Sequence, residues 1–218
     1  MRVNTDGVLL GAWIQSKNPV KILDIGTGTG IIMLMMAQRF SSALVHGVEI
    51  EENAYSQARA NVELTEWKNR IEVFHNDFGK YSRSNNSKYD LIVSNPPYFT
   101  KSLHNPRAEK RIARHSESLP FEVLIKGVNA LLSDSGSFYI ILPADNTDFE
   151  REAFIGGLKC QRKMLVRSLP HKNYIRQMLE LRKDLNGPIV SEELSIHQQQ
   201  NEYSDSYKNL TKDFYLNF

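Results

Sequence analysis

The stretch "KILDIGTGTGIIMLMMAQRF", Lys21 to Phe40, decides the fold. Lys21 to Ile25 is a short apolar run that stops at a glycine, and reads as a strand. Gly26, Gly28 and Gly30 follow, and then a mostly apolar run that reads as a helix, its methionines facing the core. A strand running through glycines into a helix is the opening unit of a parallel sheet whose ligands lie beyond the C-terminal strand ends. Glycines there let the backbone approach a ligand closely. The dinucleotide-binding fingerprint is not met, because Ile31 stands where its third glycine belongs. Asp24, just before the glycines, is also unusual for that fingerprint.

Outward from this unit, strands and helices alternate. Leu44 to Ile50, "RIEVFH" and Tyr89 to Ser94 read as strands, and Glu51 to Thr65 as a helix with Ala54, Ala58 and Val62 on one face. Tyr81 to Ser87 is rich in Ser and Asn and reads as a loop. Thr100 to Ser118 is polar and basic and is expected to be a mobile loop. Ser118 reads as an N-cap, with Pro120 in the first turn of a helix to about Leu132. "GSFYIILP" is a strand, Thr147 to Gly157 a helix, and Lys159 to Ser168 and Tyr174 to Arg182 are strands joined at "PHKN". The alternation predicts an α/β fold, a doubly wound and mostly parallel seven-stranded sheet with helices on both faces. The last two strands lack a helix between them and are expected to form an antiparallel edge hairpin. One domain spanning 1–218 is expected, with the polar tail of 188–218 docking through its terminal aromatics.

Acids follow successive strands. Glu49 ends the second strand, placed to accept both hydroxyls of a ribose. Asp77 follows the third, where it could accept from an adenine amino group, with Phe78 beside it to border the ring. Singly, each acid is as well explained as a helix cap; Gly26, Gly28, Gly30, Glu49 and Asp77 in series are a stronger signal.

The fourth strand runs into "NPPY". An exocyclic amine on a planar ring is a poor nucleophile, because its lone pair is delocalised. If the Asn95 side-chain carbonyl and the Pro96 backbone carbonyl accept its two hydrogens, the nitrogen is held with its lone pair directed at an electrophile. Proline has no N–H, so the corner is rigid and offers carbonyls. Tyr98 supplies a flat face for stacking a base, which must be turned out of any helix to reach it. An amide NH2, such as that of glutamine, would suit the same corner.

Composition narrows the setting. Lys and Arg total 27 against 25 acids, so overall charge does not argue for nucleic-acid binding. Two local clusters do raise it: Lys101 to Arg114 and Lys159 to Lys183. Cys160 is the sole cysteine, so an internal disulfide or a cysteine-rich metal site is impossible. With neither a signal peptide nor a long apolar run, a cytoplasmic protein is expected, without membrane association, metal or obligate protein partner.

"DIGTGTG", "VEI", "ND" and "NPPY" together resemble the Rossmann-like S-adenosylmethionine-dependent methyltransferases of class I. The resemblance implies that Asp24 and the glycine loop hold the methionine end of the cofactor. Glu49 would bind the ribose, Ile50 pack on the adenine and Asp77 read its amino group. "NTDGVLLGAW", "NPPYF", "ARHSESLPFEVL" and "LTKDFYL" resemble, more narrowly, the bacterial tRNA(Val) adenine-37 N6-methyltransferase family. That implies methylation of the adenine N6 beside the anticodon of a valine tRNA, with Thr5 and Asp6 lining the methionine side. Lys101, Arg107, Lys110, Arg111, Arg114 and His115 would grip RNA phosphates. The family pattern begins upstream of Met1, so the chain is expected to lack a short N-terminal segment. Rival readings are a protein glutamine N5-methyltransferase, a nicotinamide-dependent oxidoreductase and a non-catalytic RNA-binding module.

Overall fold

Strands buried on both faces alternate their side chains between two cores. In the computed structural model, which describes residues 5–97, 119–184 and 187–216, that alternation is visible residue by residue. Leu91, Val93, Tyr139 and Ile141 face one core; Ile92, Phe138, Ile140 and Leu142 face the other. The first core is closed by helices α1 (Thr5–Trp13) and α2 (Ile31–Arg39), by Val62 of α3 (Glu52–Glu63) and by Tyr207 of α7 (Asp205–Thr211). The second is closed by α4 (Phe78–Ser84), α5 (Phe121–Leu131) and α6 (Asp148–Ile155).

The strands are β1 (Lys21–Ile25), β2 (Leu44–Glu49), β3 (Ile71–His75), β4 (Tyr89–Ser94), β5 (Leu132–Pro143), β6 (Lys159–Arg167), β7 (Tyr174–Arg182) and β8 (Val190–Ser195). They form one eight-stranded sheet in the order β3-β2-β1-β4-β5-β7-β6-β8. β1 pairs in parallel with both β2 and β4, so the chain reverses its direction of winding between β1 and β4. That is where an open α/β sheet leaves a crevice. β7 is antiparallel to both β5 and β6.

Three expectations need correction. The sheet has eight strands, not seven, because the tail contributes β8, parallel to β6. The hairpin is therefore not the edge. β8 reads "VSEELS", and its polarity hid it: Glu192 is bonded to Trp13 and Arg162, and only Leu194 enters the core. Tyr81 to Ser87 is largely the end of α4, not a loop. Asp77 caps that helix by accepting from the Lys80 N–H, and Phe78 and Tyr81 bury one turn apart. Ser82 and Ser84 bond back to carbonyls of their own helix, which local composition does not reveal. Pro120 sits at the N-cap of α5 rather than in its first turn, while Ser118 and the expected loop before it lie outside the described residues.

The tail packs on the first core. Tyr207 is buried in the first core, with Leu210, Phe214 and Tyr215 packed against it. The Gln-rich run forms a small ribbon of β9 (His197–Gln199) and β10 (Glu202–Tyr203). Among the described residues, no helix is long and apolar enough to cross a membrane.

Candidate active site

β1 delivers the chain into the glycine loop, and the loop is anchored from β2. The N–H groups of Gly26 and Thr27 both donate to the Val48 carbonyl, at 2.9 and 3.1 Å. Gly26, Gly28 and Gly30 have φ of +66°, +58° and +90°, the left-handed region that favours glycine. They differ in what surrounds them. A Cβ on Gly26 or Gly28 would meet no described residue within 4 Å, so among the described residues the loop faces open space there. A Cβ on Gly30 would lie 3.0 Å from Met33 Cε and 3.5 Å from Ala58 Cβ, where α2 packs on α3.

Asp24 lies beneath the loop and is 1% exposed. Its Oδ2 accepts from Thr27 Oγ1 at 2.6 Å and from the Met33 N–H at 3.1 Å. Among the described residues, Oδ1 has no hydrogen-bond partner. Burial pushes the carboxyl up to about 7, offset by the Thr27 and Met33 bonds and reinforced by the charge of Glu49. A buried carboxylate oxygen without a donor is costly and calls for a cationic or N–H partner.

Glu49, at the end of β2, is 8% exposed and accepts from three backbone N–H groups. Oε2 accepts from the Gly28 N–H at 2.7 Å; Oε1 accepts from the Ile50 and Glu51 N–H groups, each at 2.9 Å. It thus ties the glycine loop to the loop after β2, leaving one acceptor site on Oε2 for a hydroxyl donor. Ile50 beside it is 42% exposed, an apolar surface next to a polar crevice. His75, at the end of β3, approaches the Ile50 carbonyl at 3.0 Å and stacks on Tyr55 at 4.9 Å. Sequence reading missed both rings.

Asp77 caps α4 through Oδ1, at 2.8 Å from the Lys80 N–H. The Phe78 ring does not border this crevice. It is 5% exposed in the second core, and a Cβ at Gly127 would come within 2.5 Å of it. The helix that Asp77 starts carries Phe78 inward, so the ring-bordering expectation is overturned for its side chain.

The corner after β4 stands beside the glycine loop because β4 pairs with β1, Ser94 opposite Ile25. Ser94 Oγ donates to the Ile25 carbonyl at 3.0 Å, fixing the two strand ends together. Asn95 and Pro96 are half-buried and Pro97 is exposed. Asp24, Glu49, Asp77 and Asn95 therefore meet at the C-terminal ends of adjacent strands. Tyr98 and the set Lys101, Arg107, Lys110, Arg111, Arg114 and His115 lie outside the described residues.

α1 covers this junction. A Cβ on Gly7 would lie 3.3 Å from Ile31 Cγ2 and 3.8 Å from Asn95 Nδ2, so the first turn of α1 sits between the start of α2 and Asn95. Gly11, one turn on, lets α1 approach Met35. The small-residue spacing within "TDGVLLGAW" was legible as close helix packing but was not read so. Thr5 is exposed; Asp6 accepts from Arg176 Nε of β7 at 2.8 Å. At the other end of α1, Arg39 donates to the Gly11 and Ile14 carbonyls, and Tyr139 to that of Gln15. Trp13 packs edge-on against Tyr139 at 5.7 Å and donates to Glu192 of the tail at 2.8 Å. The tail strand thus helps hold the helix whose first turn faces the crevice.

Among the described residues, no group of His, Cys, Asp or Glu side chains is arranged to hold a metal ion.

Residues 3–142 match the methyltransferase small domain family. A Bacteroides fragilis protein named tRNA1(Val) (adenine(37)-N6)-methyltransferase is 44% identical over 221 residues, covering 99% of this chain and 91% of that protein. A Trichodesmium erythraeum protein of the same name is 41% identical, covering 100% and 92%. The solved structure of a predicted O-methyltransferase from Agrobacterium tumefaciens aligns with a TM-score of 0.71 at 19% identity, over 95% of this chain and 96% of that one, a likeness of fold. The strand-end acids, the glycine loop and the asparagine–proline corner thus sit in a chain that belongs to the methyltransferase small domain family and, within it, to the bacterial tRNA1(Val) (adenine(37)-N6)-methyltransferases.

Proposed function

We propose that this protein transfers a methyl group from S-adenosylmethionine to the exocyclic N6 of an adenine in tRNA, at position 37 beside the anticodon of a valine tRNA, as its relatives' names state for them. The observation that carries the reading is the placement of Asn95 beside the glycine loop, with Ser94 tied to Ile25. A methyl-donor site and an amine-holding corner then share one crevice.

The residues present fit the cofactor. Asp24 Oδ1 is a buried acceptor without a donor among the described residues, and a methionine ammonium is such a donor. The open space over Gly26 and Gly28 admits a ligand against the backbone. Glu49 takes a ribose hydroxyl on the remaining acceptor site of Oε2, Ile50 packs on the adenine and Asp77 accepts from the adenine amino group with Oδ2. Thr5 and Asp6 wall the methionine side. When bound, the cofactor supplies an electrophilic methyl group on a sulfonium sulfur.

Asn95 and Pro96 do the positioning. Their carbonyls accept the two N6 hydrogens of the target adenine and turn its lone pair toward the glycine-loop side. The excess proton leaves N6 along one of these bonds to water. Neither carbonyl is a strong base; the gain comes from orientation and from oriented dipoles in a partly desolvated site. By sequence position, Tyr98 stacks the flipped base, and Lys101, Arg107, Lys110, Arg111, Arg114 and His115 hold flanking phosphates. The whole chain acts as one methyltransferase domain, and a tRNA substrate puts its work in the cytoplasm.

Calorimetry and label transfer test this together. S-adenosylhomocysteine should bind and NADH should not, and methyl label should pass to unmodified tRNA and not to a glutamine peptide. Label in the peptide alone would transfer the corner to the rival amide chemistry.

A further inference from the structure

The basic cluster on β6 and β7 is mostly occupied within the protein, but Lys172 is not. It is exposed in the turn between the two strands and makes no ion pair or side-chain hydrogen bond with any described residue. It lines an open groove of about 570 Å³ with Ala144, Asp145, Arg167, His171 and Tyr174. The Arg167 guanidinium lies 5.3 Å over the Tyr174 ring, and is held by Glu193 at 3.3 Å and by Ser195 Oγ at 3.0 Å. A tyrosine ring backed by a fixed cation is a stacking platform for a base.

The groove is on the same edge of the sheet as Asn95. Ser94 of β4 is level with Ile140 of β5, and Pro143, the last residue of β5, is level with Arg176 of β7. At the usual strand spacing, β7 lies about 10 Å from β4. The Arg176–Asp6 pair ties β7, two residues beyond Tyr174, to the first turn of α1, whose Gly7 faces Asn95.

We propose that this groove is a second RNA contact, resting on the methyltransferase reading above. It takes the strand flanking the target adenine, with Lys172 on a backbone phosphate and Tyr174 against a neighbouring base. Asp145 in the same wall disfavours a second phosphate there and suits the amino edge of a base.

Steady-state kinetics on unmodified tRNA test it, with S-adenosylhomocysteine affinity and Tm as folding controls. Lys172→Ala should raise KM for tRNA severalfold and reduce the log–log salt slope by about 0.7, with Lys172→Arg restoring both. Tyr174→Ala should raise KM about tenfold or more, leaving the salt slope nearly as it was. Unchanged KM and slope in both variants, alongside an active parent protein, would overturn the groove and leave the methylation reading standing. A parent protein that binds S-adenosylhomocysteine yet methylates no tRNA would overturn that reading and the groove with it.

Discussion

The two ends of the sheet use charge in opposite ways. At β1, β2 and β3, the strand-end acids are bonded to backbone N–H groups: Asp24 to Met33, Glu49 to Gly28, Ile50 and Glu51, and Asp77 to Lys80. These carboxylates shape a loop and keep acceptor capacity facing the crevice. At β6, β7 and β8, charges meet charges: Arg162 pairs with Glu180 and Glu192, Lys163 with Glu150, Arg167 with Glu193 and Lys183 with Asp134. The first arrangement fixes the glycine loop and the turns after the strands; the second fastens a hairpin and a tail strand to the sheet. Sequence charge density alone would rank them the other way round.

The sharpest way to break this contrast is at the corner. Asn95→Ala should lower turnover on tRNA about 100- to 1000-fold, the usual cost of losing one positioned polar group, while S-adenosylhomocysteine affinity stays within about threefold. Full turnover would show that the corner is only a bend.

At the far end, Arg162→Ala should destabilise the fold by about 3 kcal/mol in urea melts, because it leaves Glu180 buried without its cation. Arg151→Ala, at an exposed pair with Asp148, should change stability by under about 0.5 kcal/mol. Equal effects would mean that the buried network is not what fastens the hairpin.

The glycine loop gives an intermediate effect. Gly28→Ala meets no atom of the described residues, so its folding cost should stay near the ~1–2 kcal/mol of a left-handed alanine. Its Cβ would enter the space assigned to the cofactor, and calorimetry should show affinity reduced more than tenfold.

Asp24 couples the site to pH. Its carboxyl is raised from 3.8 to about 7, so its contribution to the stability of the unliganded fold is greatest below 3.8 and is lost as pH rises through about 7. Cofactor binding has the opposite sign, because an ammonium favours the ionised form. Affinity should therefore rise by up to about tenfold per pH unit below about 7 and level off above it. Calorimetry at about pH 6 in two buffers should show proton release. Asp24→Asn should remove that release.

The smallest effect should come from Arg176→Ala, which removes the ion pair between β7 and the first turn of α1. KM for the cofactor should rise a fewfold with kcat less affected, and Arg176→Lys should recover part of it. A pure loss of Tm with unchanged KM would make the pair structural only.

Much of this was legible because backbone needs are local. The strand–glycine–helix unit, the acids after successive strands and the Asn-Pro corner follow from short-range constraints that a local window of sequence carries. What was missed depends on distant partners. β8 is a strand because Glu192 finds Trp13 and Arg162, residues far away in the chain. α4 is a helix because its buried face meets Gly127, and that contact also turned Phe78 away from the crevice. The role of Gly7 and Gly11 required knowing that α2 lies against them.

The central claim is that Asn95 delivers an adenine N6 to the glycine-loop site. Its most direct test is mass spectrometry of total unmodified tRNA after incubation with this protein and methyl-labelled S-adenosylmethionine, with nucleosides and RNase fragments both analysed. The account predicts labelled N6-methyladenosine in the anticodon-loop fragment of a valine tRNA, lost with Asn95→Ala. Label on another atom or another fragment, or label that persists in Asn95→Ala, would contradict it.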